Sequence, residues 1–113
     1  MDTETNKLDN IQVLVCLADE DKGTELAHGL REEGLDVLVA HRIRAAMRVM
    51  DRESPQAVVV EVATTAYDGF RVAQWASGRV MALFLVAGRP LTLMEDVEVL
   101  KSGVKEVFYT PVQ

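Results

Sequence analysis

The run Ala57-Val58-Val59-Val60-Glu61-Val62 constrains this chain more than any other stretch. Four apolar residues in succession, three of them valine, predict a strand buried on both faces rather than an alternating, half-wet one. Such strands belong to parallel sheets covered on both sides. Glu61 stands where the strand runs out, at the carboxyl edge, where open α/β folds place their sites. Seven residues beyond it comes Asp68-Gly69-Phe70.

The other elements fall around this strand in regular alternation. Ile11 to Leu17 is an apolar strand. Asp19, Glu20 and Asp21 follow it and suit the first turn of a helix, where backbone N–H groups lack partners. Leu26, Ala27 and Leu30 then recur at helical spacing, and Gly34 ends the helix. Leu35 to Ala40 is a second strand, and a helix from about Ile43 to Asp51 is stopped by Ser54-Pro55. After the central strand a third helix opens with Asp68 as its expected cap. Met81 to Val86 is a fourth strand. Thr92 with Glu95 three residues on is a capping box for a fourth helix, with Leu93, Val97 and Leu100 as its expected inward face and Ser102-Gly103 as its end. Glu106 to Tyr109 is a short fifth strand. Alternation at this spacing predicts an α/β fold: a doubly wound, five-stranded parallel sheet with right-handed crossovers.

Length and composition exclude several classes of protein. The 113 residues make one domain, read as a flexible tail over 1–10 and a folded unit over 11–113. Apolar runs are strand-sized, so no membrane association is expected, and Met1 to Asn10 carries no secretory signal. The single Cys16 lies in an apolar strand, which suits a buried thiol and a reducing cytoplasm. A net charge of −6, from 18 acidic and 12 basic residues, disfavours nucleic acid. Arg42, Arg44, Arg48 and Arg52 cluster on the second helix and read as a solvated face opposite Ile43, Ala46, Met47 and Met50, with a patch for an acidic partner as the alternative. Met47, Met50, Met81 and Met94 read as core filler. His28, in mid-helix, and His41, after the second strand, read as surface or partly buried residues.

With its elements placed, the chain resembles the receiver domain of bacterial response regulators over residues 11–113. The resemblance is carried by Val13-Leu14-Val15 with Asp19-Glu20-Asp21, by Glu61 with Asp68-Gly69-Phe70, and by the closing Ser102-Gly103-Val104-Lys105-Glu106-Val107-Phe108-Tyr109-Thr110-Pro111. It implies a flavodoxin-like fold and a place in two-component signalling. A working receiver moves a phosphoryl group onto an aspartate. It needs Mg²⁺ held by an acidic pair, a lysine for the phosphate oxygens, and a hydroxyl and an aromatic that turn phosphate into a packing change.

Matched position by position, this chain departs from that pattern five times. The acceptor position holds Glu61, the acidic pair falls on Leu17 and Ala18, the hydroxyl on Val86, the lysine on Thr110 and the aromatic on Val107. Losing the metal pair and the lysine together removes most of the electrostatic stabilisation of phosphoryl transfer. The expectation is a degenerate, non-enzymatic pocket with no metal and no cofactor. Asp19, Glu20 and Asp21 are the residual acidic site that would have to restore Mg²⁺. Glu61 either mimics a phosphorylated aspartate or holds loop amides structurally, and the second reading is preferred because Glu supplies less charge and fewer acceptors than phosphate. Cobalamin-binding domains are superficially similar through Asp21-Lys22-Gly23 and Ala87-Gly88. No histidine precedes Gly23, so cobalt ligation is rejected.

The chain stops two residues after Thr110-Pro111, where the family's last helix would start, and that helix is therefore expected to be absent. One sheet face would then be guarded by the first helix alone. Covering about 400 Å² of exposed apolar surface is worth on the order of 10 kcal/mol before association costs. A second copy of the chain (a homodimer) or another protein is the expected cover, the rival reading being a sequence cut short before its last helix. Trp75, Val107 and Tyr109 are interface candidates. Three functions follow: a phosphorylation-independent interaction module, an atypical active receiver using Asp19 or Asp21 with Glu61, or a small-ligand binder. The last lacks a phosphate-binding glycine loop.

Overall fold

The computed structural model describes residues 11–63 and 69–109. The chain runs β1 (Gln12–Cys16), α1 (Glu20–Glu32), β2 (Asp36–Ala40), α2 (Ile43–Glu53), β3 (Ala57–Val62), α3 (Gly69–Ala76), β4 (Ala82–Ala87), α4 (Leu93–Lys101), β5 (Glu106–Tyr109). All five strands are parallel, in the order β2-β1-β3-β4-β5. The valine run of β3 is central, with Val58 opposite both Leu14 and Leu83.

Local chemistry sets the ends of the elements. Asp19 caps α1 by accepting from the N–H groups of Asp21 and Lys22 at 2.9 and 3.1 Å. Glu20 and Asp21 fill the first turn and Arg31 the last, each matched to the helix dipole. Gly34, at φ 93°, takes the left-handed turn after α1 that a side chain would resist. Ser54 takes a similar conformation after α2, directly before the buried Pro55. The Thr92–Glu95 capping box is present at α4, and the Arg89 guanidinium forks onto the same Glu95 carboxylate at 2.8 and 2.9 Å.

Strand alternation divides the core in two. Leu14, Cys16, Val58, Val60, Leu83 and Leu85 face one way, against Ala46 and Met50 of α2 and Val72, Ala73 and Ala76 of α3. Val13, Val15, Val37 and Val59 face the other way, where α1 supplies Leu26, Ala27 and Leu30. Among the described residues, α1 is the one helix packed on that second face.

Two expectations about packing are corrected. Val99 of α4 packs against the core with Leu91 and Val104 from the flanking loops; of the expected inward face Val97 is half-buried, while Leu93 and Leu100 are 78% and 82% exposed. Two apolar rows compete on this helix. Glu95 is held by Thr92 and Arg89 at the start of the helix, and Glu98 is hydrogen-bonded to Gln74 of α3 at 3.3 Å. Met50 is buried and Met47 packs against the core, but Met81 and Met94 are exposed. Met81 precedes β4 rather than entering it. The arginines of α2 lie on an exposed face, as read from their spacing. The expected cap Asp68 and the expected tail 1–10 lie outside the described residues.

Candidate functional site

β3 delivers Glu61 to the carboxyl edge as the penultimate strand residue, almost entirely buried at 7% exposure. A carboxylate so placed needs a donor, and a backbone amide provides one: Oε1 accepts from the Ala18 N–H at 2.9 Å. Leu17 and Ala18 immediately follow β1, so this bond ties the ends of two adjacent strands together.

The peptide group carrying that N–H is held from its other side as well. Nδ1 of His41, just past β2, lies 2.8 Å from the Leu17 carbonyl oxygen. A carbonyl only accepts, so Nδ1 carries the proton and donates. Imidazole, the Leu17–Ala18 peptide and the Glu61 carboxylate thus form one chain of hydrogen bonds across β2, β1 and β3. Bonds arranged in this way polarise one another. Gly23 of α1 sits under the imidazole, where an added Cβ would lie 3.0 Å from His41 Cε1.

The far side of Glu61 is equally tight. A Cβ on Gly69 would stand 1.8 Å from the Glu61 carbonyl oxygen, so only glycine lets the start of α3 approach the end of β3. Ala63, directly after β3, is held at φ 59°, a strained conformation for a residue with a side chain.

The remaining sequence-derived positions spread apart. Asp19 spends Oδ1 on two backbone N–H groups of α1, and Glu20 and Asp21 are exposed on that helix's first turn. Among the described residues, no three His, Cys, Asp or Glu side chains come close enough to hold a metal ion together. Leu17 is buried under α1. Val86 lies directly across the ladder from Glu61, and Val107 lies opposite Leu85 with its side chain toward the α2–α3 core. Thr110 lies outside the described residues. Cys16 is buried in the core, and burial pushes its thiol up to about 12. Trp75 is half-buried beneath the Arg79 guanidinium, 4.2 Å above its ring, and its buried indole N–H has no hydrogen-bond acceptor among the described residues. Tyr109 is 56% exposed.

A larger concavity than any beside Glu61 lies among the described residues of the opposite sheet face. On the α1 face an open groove of about 570 Å³ runs over Val13, Val59, Phe84, Val86 and Phe108, with Leu26 and Leu30 of α1 as its wall. Phe84 and Phe108 lie with ring centroids 6.4 Å apart. Trp75, Val107 and Tyr109 do not line it. The residues that sequence reasoning missed are Ala18 as a donor, His41 and Gly23. A backbone N–H has no side-chain signature; the one available signal was a glycine at position 23, early in a helix.

This arrangement defines the receiver fold. No family model matches the sequence, and no curated protein is significantly similar to it. Solved structures are. A response regulator protein from Burkholderia pseudomallei, determined with a phosphorylated aspartic acid, a calcium ion and citrate, superposes with a TM-score of 0.80 at 19% identity, over 92% of this chain and 62% of that one. A CheY-like receiver domain protein from Methanospirillum hungatei gives 0.80 at 18% identity, over 91% and 83%. The BeF3-activated RstA receiver domain of Klebsiella pneumoniae gives 0.72 at 23% identity, over 88% and 87%. This chain thus spans less than two thirds of the Burkholderia protein. At these identities the likeness defines the fold. No helix among the described residues is long and apolar enough to cross a membrane.

Proposed function

We propose that this chain is a non-enzymatic signalling module, a receiver fold recognised by a protein partner without phosphorylation. The observation that carries the reading is the Glu61–Ala18 hydrogen bond. A phospho-acceptor must present a carboxylate to incoming phosphate with a divalent cation beside it. Here the carboxylate is spent on a backbone amide, apolar Leu17 and Ala18 stand where the metal-binding acids would be, and Asp19 is committed to capping α1. Glu61 acts as a structural cross-tie between strands and not as an imitation of phosphate. The buried Cys16 and the acidic surface support a cytoplasmic setting without nucleic acid.

The test is a titration of the 113-residue chain with Mg²⁺ and beryllofluoride, followed by Trp75 fluorescence and by the amide resonances of Ala18, Glu61 and Gly69. Unchanged spectra are expected. Saturable shifts at Ala18 and Glu61 would replace this reading with that of an atypical, phosphorylatable receiver.

A further inference from the structure

We propose that the saddle between α2 and α3 is the docking site for an acidic segment of a separate partner protein, its carboxylates taken by Arg44, Arg48, Arg71 and Arg79. This rests on the interaction-module reading and deepens it by naming the surface and the class of partner.

The two helices lie side by side on one face of the parallel sheet and run from its carboxyl edge back to its amino edge. Helical spacing sorts their side chains. On α2, Ala46 and Met50 are buried, while Arg44, Arg48 and Arg52 recur at i, i+4 and i+8 on the exposed side. On α3, Val72, Ala73 and Ala76 are buried and Arg71 is exposed. Gln74 bonds to Glu98 and so marks the flank of α3 turned to α4. One residue on, Trp75 turns to the other flank, and Arg71, four residues before it, stands above it. Contact across the saddle is direct. The Arg79 guanidinium, just beyond α3, stacks over the Trp75 ring at 4.2 Å and lies 3.8 Å from the Asp51 carboxylate of α2. Arginines thus rise from both sides around one half-buried tryptophan. The stripe on α2 is about 12 Å long and adjacent helix axes are about 8–10 Å apart, the footprint of a single polypeptide segment.

The arginines have little to hold them within the chain. Among the described residues no carboxylate forms an ion pair with Arg44, Arg48, Arg52 or Arg71. Asp51 stands too far from Arg79 for a hydrogen bond, and both side chains are half exposed, so that guanidinium keeps its donors for another carboxylate. Glu53, seven residues after the buried Ala46, belongs to the opposite side of α2. Nor do the arginines serve α2 itself. Arg44–Arg48 and Arg48–Arg52 are like-charged pairs at i, i+4, which disfavour a helix. Arg44 also stands in a first turn that has no acid, after a cap, Arg42, that makes no side-chain hydrogen bond.

Charge and breadth select the occupant. Every cation here is arginine, whose guanidinium forks onto a carboxylate through two parallel bonds. They sit in a chain of net charge −6, so their surroundings are acidic. A nucleic-acid duplex or an anionic bilayer is broader than the patch and would meet those surroundings too. A narrow acidic segment meets the arginines alone. A second copy of this chain is a poor fit, because a two-fold dimer through this surface would set arginine against arginine. Segment 1–10 spreads three acids over its length with Lys7 among them, too sparse for the guanidinium cluster.

Two synthetic peptides test this. One carries glutamates at i, i+3, i+4 and i+7 among alanines, and the other carries glutamines at the same positions. Each is titrated into the isotope-labelled 113-residue chain. The glutamate peptide is expected to give saturable shifts at the Arg44, Arg48 and Arg71 side chains and at the Trp75 indole N–H, and the glutamine peptide to bind at least tenfold more weakly. Arg44→Gln with Arg48→Gln should weaken the glutamate peptide at least tenfold without lowering the melting temperature. Lys101→Gln with Lys105→Gln, which removes the same charge elsewhere, should leave its affinity unchanged. Equal binding of both peptides, an equal loss in the two double variants, shifts confined to other surfaces, or no shifts at all would overturn the proposal. Tighter binding of a single-stranded oligonucleotide or of phosphatidylserine vesicles would overturn it by assigning the arginines to phosphate, and a dimer by sedimentation that the arginine variant abolishes would assign them to a second copy. The beryllofluoride titration reads Ala18 and Glu61 and involves none of these arginines, so failure here is distinguishable from failure of the module reading.

Discussion

Glu61 and Ala18, 43 positions apart in the chain, are joined by a hydrogen bond of 2.9 Å between a buried carboxylate and a backbone amide. The bond sits where three strands end. It therefore holds the two loops that follow β1 and β3 in one arrangement. Removing the carboxylate leaves the Ala18 N–H without its acceptor. Glu61→Ala is expected to lower stability by about 1–3 kcal/mol, and Glu61→Gln, which keeps an acceptor but loses the charge, by about 0.5–1.5 kcal/mol. Urea denaturation measures both. Hydrogen exchange at Ala18 should quicken in the alanine variant, and unchanged exchange there would show that the bond does not hold the loop.

Gly69 is expected to tolerate no side chain. Its hypothetical Cβ would collide with the Glu61 carbonyl oxygen at 1.8 Å, and the obstacle is backbone, which cannot rotate away. Gly69→Ala must push α3 off the end of β3. A loss of about 3 kcal/mol or more is expected, with amide shifts at Glu61 and Val62. A variant as stable as the parent would contradict the close approach.

Asp19 separates helix capping from metal binding cleanly. Asn caps a helix about as well as Asp, whereas Ala does not. Asp19→Asn should therefore leave stability nearly unchanged, and Asp19→Ala should lower it by about 1 kcal/mol. Addition of Mg²⁺ should shift the melting temperature of neither variant relative to the parent. A Mg²⁺-dependent stabilisation lost in Asp19→Asn would assign the carboxylate to a cation instead.

Acid should loosen the start of α4. The hydrogen bonds from Arg89, then the Thr92 N–H, hold the Glu95 carboxyl down to about 2, below its usual 4.5. A depressed carboxylate contributes stability that is fully present above the unfolded value of 4.5 and is lost as the pH falls through about 2. The Thr92 amide resonance should therefore report Glu95 titrating near that lower value. Arg89→Ala should move the titration back toward 4.5, and added salt should move it the same way, because the fork is exposed to solvent.

What could be read in advance was whatever depends on neighbours in sequence. The valine run of β3, the Asp19 cap, Gly34, Ser54-Pro55 and the Thr92–Glu95 box each act within a few residues, so their signals survive without a structure. The rotation of α4 was not legible, since Leu93–Val97–Leu100 forms a more regular apolar row than Val99 does alone. Met81 and Met94 misled for the same reason: residue type says little about exposure at the margins of an element. The placement of Leu17, Ala18 and Glu61 at the ends of β1 and β3 was legible from the strand pattern. The chain from His41 through one peptide to Glu61 was hidden because its middle member is backbone.

The trough over β1, β3, β4 and β5 also ties the lifetime of this chain to its surroundings. Any molecule that occupies it in the folded state alone raises folding stability by mass action, about 2.7 kcal/mol at a concentration one hundred times its dissociation constant. A chain left without company would unfold more often and be degraded sooner, so its abundance would follow the supply of whatever lies across that face.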